Sequence, residues 1–151
     1  MPSFQTSRRV LHSAGNMFDL VADVEKYPQF VPLCQSIRVR GRRELEDGRV
    51  VLISDMTVAY KVFSEIFATR VMLDKAEHRI TVEYLEGPFR HLENKWNFKP
   101  LGENSCEVGF YITYEFCSRA LGSLMGTMFD KAFRKFATAF EARADEMYGA
   151  A

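Results

Sequence analysis

The sequence predicts an α+β domain in which a curved antiparallel sheet of six to seven strands wraps around one long C-terminal helix, with two short helices after the first strand. Three observations carry this. Between Ser118 and Met147, the residues Leu121, Leu124, Met125, Met128, Phe129, Phe133, Phe136 and Phe140 recur at helical spacing. From Ile37 to Phe116 the pattern changes to period two, interrupted by short polar turns. Only the terminal helix, about 45 Å long at the usual rise per residue, can cover the apolar face of such a sheet.

The chain opens with a short extended stretch, Phe4 to Val10, followed by Ser13 as N-cap of a helix that carries Met17, Phe18, Leu20, Val21 and Val24. Pro28 and Pro32 then predict a short helix and a bend, because proline removes an amide donor and restricts the residue before it. The meander begins with Ile37, Val39, Gly41 and Leu45 alternating against Arg38, Arg40, Arg42 and Glu44. Glu46-Asp47-Gly48 turns it into a strand whose Val50, Leu52, Met56, Val58 and Tyr60 share one face. Strands over Phe63 to Leu73 and Arg79 to Glu86 flank a polar turn, and Leu92, Trp96 and Phe98 alternate against Glu93, Lys95, Asn97 and Lys99. After a Gly102-Glu103-Asn104 turn, Cys106, Val108, Phe110, Ile112, Tyr114 and Phe116 line one face of the last strand.

In the terminal helix the apolar arc is wider than a surface helix needs, and Gly122 and Gly126 add a small-residue step that permits close approach of a backbone or a ligand. Its first half, Leu121 to Phe133, is therefore expected to line a groove, and Phe136 to Met147 to anchor the helix on the sheet.

With 151 residues, 47% of them hydrophobic, the chain has the length of one domain with a substantial core. Lysine plus arginine equals aspartate plus glutamate at 20 each, so no overall field draws the protein to DNA or to an anionic membrane. Three cysteines without CxxC spacing give neither a disulfide framework nor a zinc site and fit a reducing compartment. The N-terminal residues lack the apolar run of a secretory signal, and the charges of the terminal helix exclude a membrane span. A cytoplasmic protein is expected, peripheral to the inner membrane at most.

Two separated motifs resemble one family. Tyr27-Pro28-x-Phe30-x-Pro32-x-Cys34 follows the first helix, and Gly87-Pro88-Phe89-x-x-Leu92-x-x-x-Trp96-x-Phe98 leads into the penultimate strand. In this order they resemble the START-like helix-grip domains, and within them the coenzyme Q-binding protein and ribosome association toxin (RatA) family. The resemblance covers nearly the whole chain and implies the helix-grip fold. It also implies one of three roles: a holder of ubiquinone or a related polyisoprenoid quinone supporting respiratory electron transport, a toxin that binds the large ribosomal subunit and blocks subunit joining, or, more distantly, a polyketide cyclase or aromatase. Fold does not choose among them.

The residues favour binding over catalysis. His12, His78 and His91 fall at a strand end, a turn and a loop without evident partners, and His91 beside Glu93 reads as a solvated pair. Asp55 and Arg70 interrupt apolar strands and could project inward as cyclase-like groups, although edge or outward placement satisfies them equally well. No phosphate loop, HExxH or GxSxG motif occurs. No catalytic residue, metal or cofactor is expected, and the ligand itself is the ubiquinone-like lipid.

Thirteen phenylalanines and seven methionines supply adaptable apolar surface. Burying each methylene of an isoprenoid tail contributes about 0.8 kcal/mol, so affinity needs no covalent chemistry. The candidate lining is Phe30, Met56, Val58, Tyr84, Phe89, Leu92, Trp96, Phe110, Leu121, Met125, Met128 and Phe129, with Pro28, Phe30 and Pro32 shaping the mouth and Cys34 packing there as a small hydrophobe. The ribosomal alternative has its own cue in Arg38, Arg40, Arg42, Arg43 and Arg49, interrupted by Glu44, Glu46 and Asp47. Solvation of an outward sheet face explains these arginines better, so the ribosomal reading stays second.

Overall fold

The computed structural model describes residues 3–60 and 63–149, and for Tyr60 and Phe63 the backbone only. The expected place of Tyr60 on the apolar face therefore lies outside the described residues. Seven antiparallel strands run β1 Ser3–Val10, β2 Cys34–Glu44, β3 Val50–Tyr60, β4 Phe63–Asp74, β5 Arg79–Glu86, β6 Phe89–Gly102 and β7 Ser105–Phe116. Their spatial order is β1-β7-β6-β5-β4-β3-β2, so β1 and β2 form the two edges. A nine-residue helix, α1 (Ala14–Ala22), and a 3₁₀ turn over Val24–Gln29 separate β1 from β2, and α2 (Arg119–Tyr148) closes the chain. This is the α+β helix-grip arrangement expected from the sequence.

Local chemistry fixes the element ends. The Ser13 hydroxyl accepts from the Asn16 amide and the Ser118 hydroxyl from the Leu121 amide, each satisfying one orphan donor of a first helical turn. Pro28 lies inside the 3₁₀ turn, where its missing N–H is tolerated. Gly87, in the connection from β5 to β6, has φ 148°, and a Cβ there would stand 2.6 Å from the Cβ of Phe67 and 3.0 Å from the Tyr84 hydroxyl. Gly87→Ala is therefore expected to lower stability by about 1–3 kcal/mol through backbone strain and displacement of Phe67. A urea midpoint equal to that of the parent would refute this.

The sheet's inner face and α2 enclose one core cluster that includes Leu52, Ile80, Trp96, Phe98, Phe110, Phe129, Phe133 and Phe140. Burial in β7 alternates without a break, as the period-two reading requires. The second half of α2 is tied down by polar contacts as well. Arg8 of β1 pairs with Glu141 at 2.6 Å and donates to Thr138, the Arg134 guanidinium lies 4.9 Å from the Phe4 ring centroid, and Tyr148 donates to the Asn16 carbonyl. His12, buried at the end of β1, also has a partner that the sequence did not reveal: its Nε2 lies 2.6 Å from Asp145 Oδ1.

The apolar arc of α2 is narrower than its sequence suggests. Leu124 is 74% exposed, whereas the buried stripe recruits the alanines Ala132, Ala137 and Ala144, whose small side chains let the helix settle on the sheet. At Gly122 an added Cβ would rest 3.7 Å from the Phe116 ring, but at Gly126 it would meet nothing within 4 Å, so only the first glycine serves close packing.

Candidate functional site

Because inward side chains alternate along each strand, the β3 residues Ser54, Met56 and Val58, the β4 residues Phe67, Thr69 and Val71, and Ile80 and Val82 of β5 all face α2. Leu92, Asn94 and Trp96 of β6 and Ile112 of β7 continue this wall, and Ile37 joins it from β2. The helix presents Phe129, Ala132, Phe133, Phe136 and Phe140 to it, and Val24, Tyr27, Pro32 and Leu33 close it from the segment that follows α1. Between them lies a cavity of about 90 Å³. It forms where α2, which packs closest on β7 and β1, parts from the curving β2–β5 half of the sheet.

None of these lining residues is acidic, basic or a histidine. Four polar side chains interrupt the apolar wall. The Ser54 and Thr69 hydroxyls, both buried, face each other at 3.3 Å across the β3–β4 pair. Asn94 donates to the Tyr111 carbonyl at 2.9 Å and accepts from the Trp96 indole N–H at 3.2 Å, which fixes the indole plane against the cavity. Tyr27 is the titratable group of the lining, and its hydroxyl donates to the Val21 carbonyl. Burial, then the neighbouring Cys34 and Asp23, push its ionisation far above the ordinary phenol range.

Five of the twelve candidate lining residues border this cavity: Met56, Val58, Leu92, Trp96 and Phe129. The other seven lie elsewhere. Phe89 and Tyr84 belong to an aromatic cluster with Tyr114 and Phe116 that packs behind the wall residue Phe67, where the Phe89 and Phe116 rings stack at 4.9 Å and the Tyr84 hydroxyl accepts from the Phe89 amide. Phe110 supports Trp96 from the side, with centroids 4.7 Å apart. Phe30 packs edge-on to Phe140 at 5.0 Å and under the Arg143 guanidinium, outside the lining. Met125 is buried, and Leu121 and Met128 are partly buried against the core, without reaching the cavity. The groove thus runs beneath the middle of α2, Phe129 to Phe140, taking in the end of the expected stretch (Phe129 to Phe133) but not its start at Leu121 to Met128, because the helix approaches the sheet at Phe89 and Phe116 before the space opens. Phe136, expected to be an anchor, is a wall.

Residue parity within the strands could have found Ser54, which shares its phase with Leu52 and Met56, and Asn94, which sits between Leu92 and Trp96. Asp55 and Arg70 have the opposite phase. Asp55 meets Arg40 at 3.2 Å and Arg70 meets Glu83 at 2.9 Å on the outer face, so neither is a cyclase-like inward group. Cys34 is buried near the closing segment, and desolvation raises its thiol to about 11, which leaves it protonated and unreactive at neutral pH.

The arginine strand β2 is an edge. A bulge between Val39 and Gly41 breaks the simple alternation expected there and sets Arg42 opposite the inward Leu52, while Arg38 and Arg43 stay opposite the outward Asp55 and Val51. Among the described residues, Arg38, Arg42 and Arg43 have no ion-pair partner, whereas Arg49 is engaged by Asp47 at 2.8 Å. No group of three or more possible metal ligands occurs among the described residues, and none of their helices is long and apolar enough to cross a membrane.

Comparison with known proteins sets these features in context. Residues 10–141 match the family described as polyketide cyclase / dehydrase and lipid transport. The chain is 33% identical over 146 residues to the ribosome association toxin RatA of Pseudomonas aeruginosa, covering 96% of each. It is 28% identical over 150 residues to the mitochondrial coenzyme Q-binding protein COQ10 homolog B of Xenopus laevis, covering 97% of this chain and 59% of that one. Among solved structures, an 18 kDa protein from Caulobacter crescentus matches with a TM-score of 0.79 at 33% identity, over 99% of this chain and 100% of the other. A seven-stranded sheet gripping its terminal helix and a family match across most of its length together make this chain a member of the polyketide cyclase / dehydrase and lipid transport family.

Proposed function

We propose that the protein is a non-catalytic carrier of a neutral, hydrophobic ligand with a ring head, most simply a ubiquinone-like polyisoprenoid quinone, held beneath the middle of α2. The observation that carries this reading is the lining itself: aromatic and aliphatic side chains, the Ser54 and Thr69 hydroxyls, the Tyr27 phenol and an amide, with no charged residue among the described ones. A cyclase needs a group that moves protons at the substrate, and the one titratable group of the wall, Tyr27, has its proton bound to a backbone carbonyl and resists ionisation. Similarity to a protein named for coenzyme Q binding supports the quinone in particular. Supply of such a lipid involves transient contact with a membrane surface.

At about 90 Å³ the cavity is well below the roughly 300 Å³ at which ligand pockets begin. Binding therefore requires the partly buried Met56 and Phe136, the more adaptable parts of the wall, to swing outward. Trp96, the single tryptophan, borders the cavity and reports on its occupant. Titration with decylubiquinone is expected to quench its fluorescence saturably, and native mass spectrometry after gentle purification should find a co-purifying quinone. Absence of both would defeat the carrier reading.

A second reading has a specific observation behind it. Relatives of matching length are named ribosome association toxins, and β2 offers three unpaired arginines along an exposed edge. On this reading the protein co-sediments with large ribosomal subunits, binding weakens steeply with salt, and charge reversal at Arg38, Arg42 and Arg43 abolishes it. Unaltered subunit joining on overexpression would sink it.

A further inference from the structure

Two buried hydroxyls stand in an otherwise apolar wall, and packing gives no reason for them. Ser54 and Thr69 are directly opposed on β3 and β4, 4% and 7% exposed, and both border the cavity. Their oxygens lie 3.3 Å apart, beyond the roughly 2.5–3.0 Å of a well-made hydroxyl hydrogen bond. Two hydroxyls carry two hydrogens, and one contact between them engages one; among the described residues the other has no partner. Leaving a buried donor unmade is unfavourable, whereas replacing both partners by apolar groups of the same shape is nearly neutral. Asn94 differs, since it is only partly buried and its amide is oriented by Tyr111 and Trp96.

We propose that the Ser54–Thr69 pair is the polar anchor of the cavity: the free hydroxyl hydrogen donates to an uncharged ring oxygen of the ligand, and the weak mutual bond yields as it does so. This deepens the carrier reading and rests on it. Hydroxyls also accept, so the same pair meets a ring hydroxyl as readily as a ring carbonyl, and a quinone and its quinol both fit. The anchor thus selects ligands by an oxygen on the ring, a discrimination that the apolar wall alone does not make, and it does so without a charge.

The test compares decylubiquinone with decylbenzene, which keeps the ring and the tail but lacks the oxygens. Binding of each is read from the ligand-induced rise in melting temperature, and for the quinone also from Trp96 quenching. In the double variant Ser54→Ala/Thr69→Val, quinone affinity is expected to fall about tenfold while decylbenzene affinity stays the same or rises. Thr69→Ser, which keeps the hydroxyl, should retain quinone affinity, and it carries the test if the double variant does not fold. An unchanged quinone affinity in the double variant, an equal loss for both ligands, or a tenfold loss in Thr69→Ser would overturn the anchor and leave the carrier reading standing. Failure of the unsubstituted protein to bind either ligand would overturn the carrier reading and the anchor with it.

Discussion

Phe140→Ala is expected to cost about 3–5 kcal/mol of stability, the range for a large aromatic removed from a well-packed site. Phe140 is among the largest fully buried side chains, and its ring meets Tyr27 at 5.2 Å, Phe30 at 5.0 Å and Trp96 at 5.0 Å, all edge to face. It therefore joins three parts of the molecule: the terminal helix, the closing segment after α1, and the sheet. Its removal would also merge with the existing void, because Phe140, Tyr27 and Trp96 all border the cavity. The surroundings have little to collapse with, which places the cost at the upper end of the range. Against a typical total of about 5–15 kcal/mol, this is a large fraction. Urea denaturation followed by Trp96 fluorescence measures it, and a loss below about 1.5 kcal/mol would mean that the ring is not the keystone of this junction. The enlarged cavity makes a second prediction: saturating decylbenzene should raise the melting temperature of Phe140→Ala more than that of the parent.

The order and type of the elements were legible in the sequence because period two and period 3.6 leave different marks, and because Ser13 and Ser118 are capping residues at the helix starts. The two motifs were legible for a related reason. Gly87 holds a positive φ against Phe67, and Trp96 occupies the centre of the wall. The exact floor of the cavity was less legible. Aromatic content locates a core but does not separate residues that border a void from residues that fill space around it, so Phe89 and Phe110 look like Trp96 on the page and differ from it in three dimensions. Helical spacing gave Leu124 and Phe129 equal standing, although only the curvature of the sheet decides which arc of α2 it covers, and Leu124 is left in solvent. The bulge in β2 illustrates the same limit. One extra residue at Arg40 reverses the phase of every side chain beyond it, and local sequence carries no mark of that beyond Gly41. Ser54 and Thr69 were passed over for a different reason: a small polar residue in a strand is ordinarily unremarked, and only the pairing of the two across β3 and β4 makes them a site.

The cavity is expected to discriminate against charge more strongly than against shape. Given a small quinone and an aromatic carboxylate of equal volume, the quinone should bind at least about a hundredfold more tightly at neutral pH, since the effective penalty for burying an unpaired ion is several kcal/mol. Among the described residues nothing in the wall offsets that penalty: none of those lining it is a cation, and the arginines of β2 that lack partners lie along the edge strand, outside it. The sign of the pH dependence follows. The acid binds only in its neutral form, so its affinity rises as the pH falls toward its own pKa, while that of the quinone stays flat, Tyr27 being protonated throughout this range. A lipid carrier whose wall held a lysine or arginine would do the reverse and favour the ionised acid. Competition between the two ligands, followed by Trp96 quenching between pH 4 and pH 8 (about the span in which a carboxylic acid changes form), distinguishes these outcomes. Equal binding at neutral pH, or an acid affinity that rises with pH, would show that the ligand's head sits among charges at the mouth rather than on the hydroxyl pair inside.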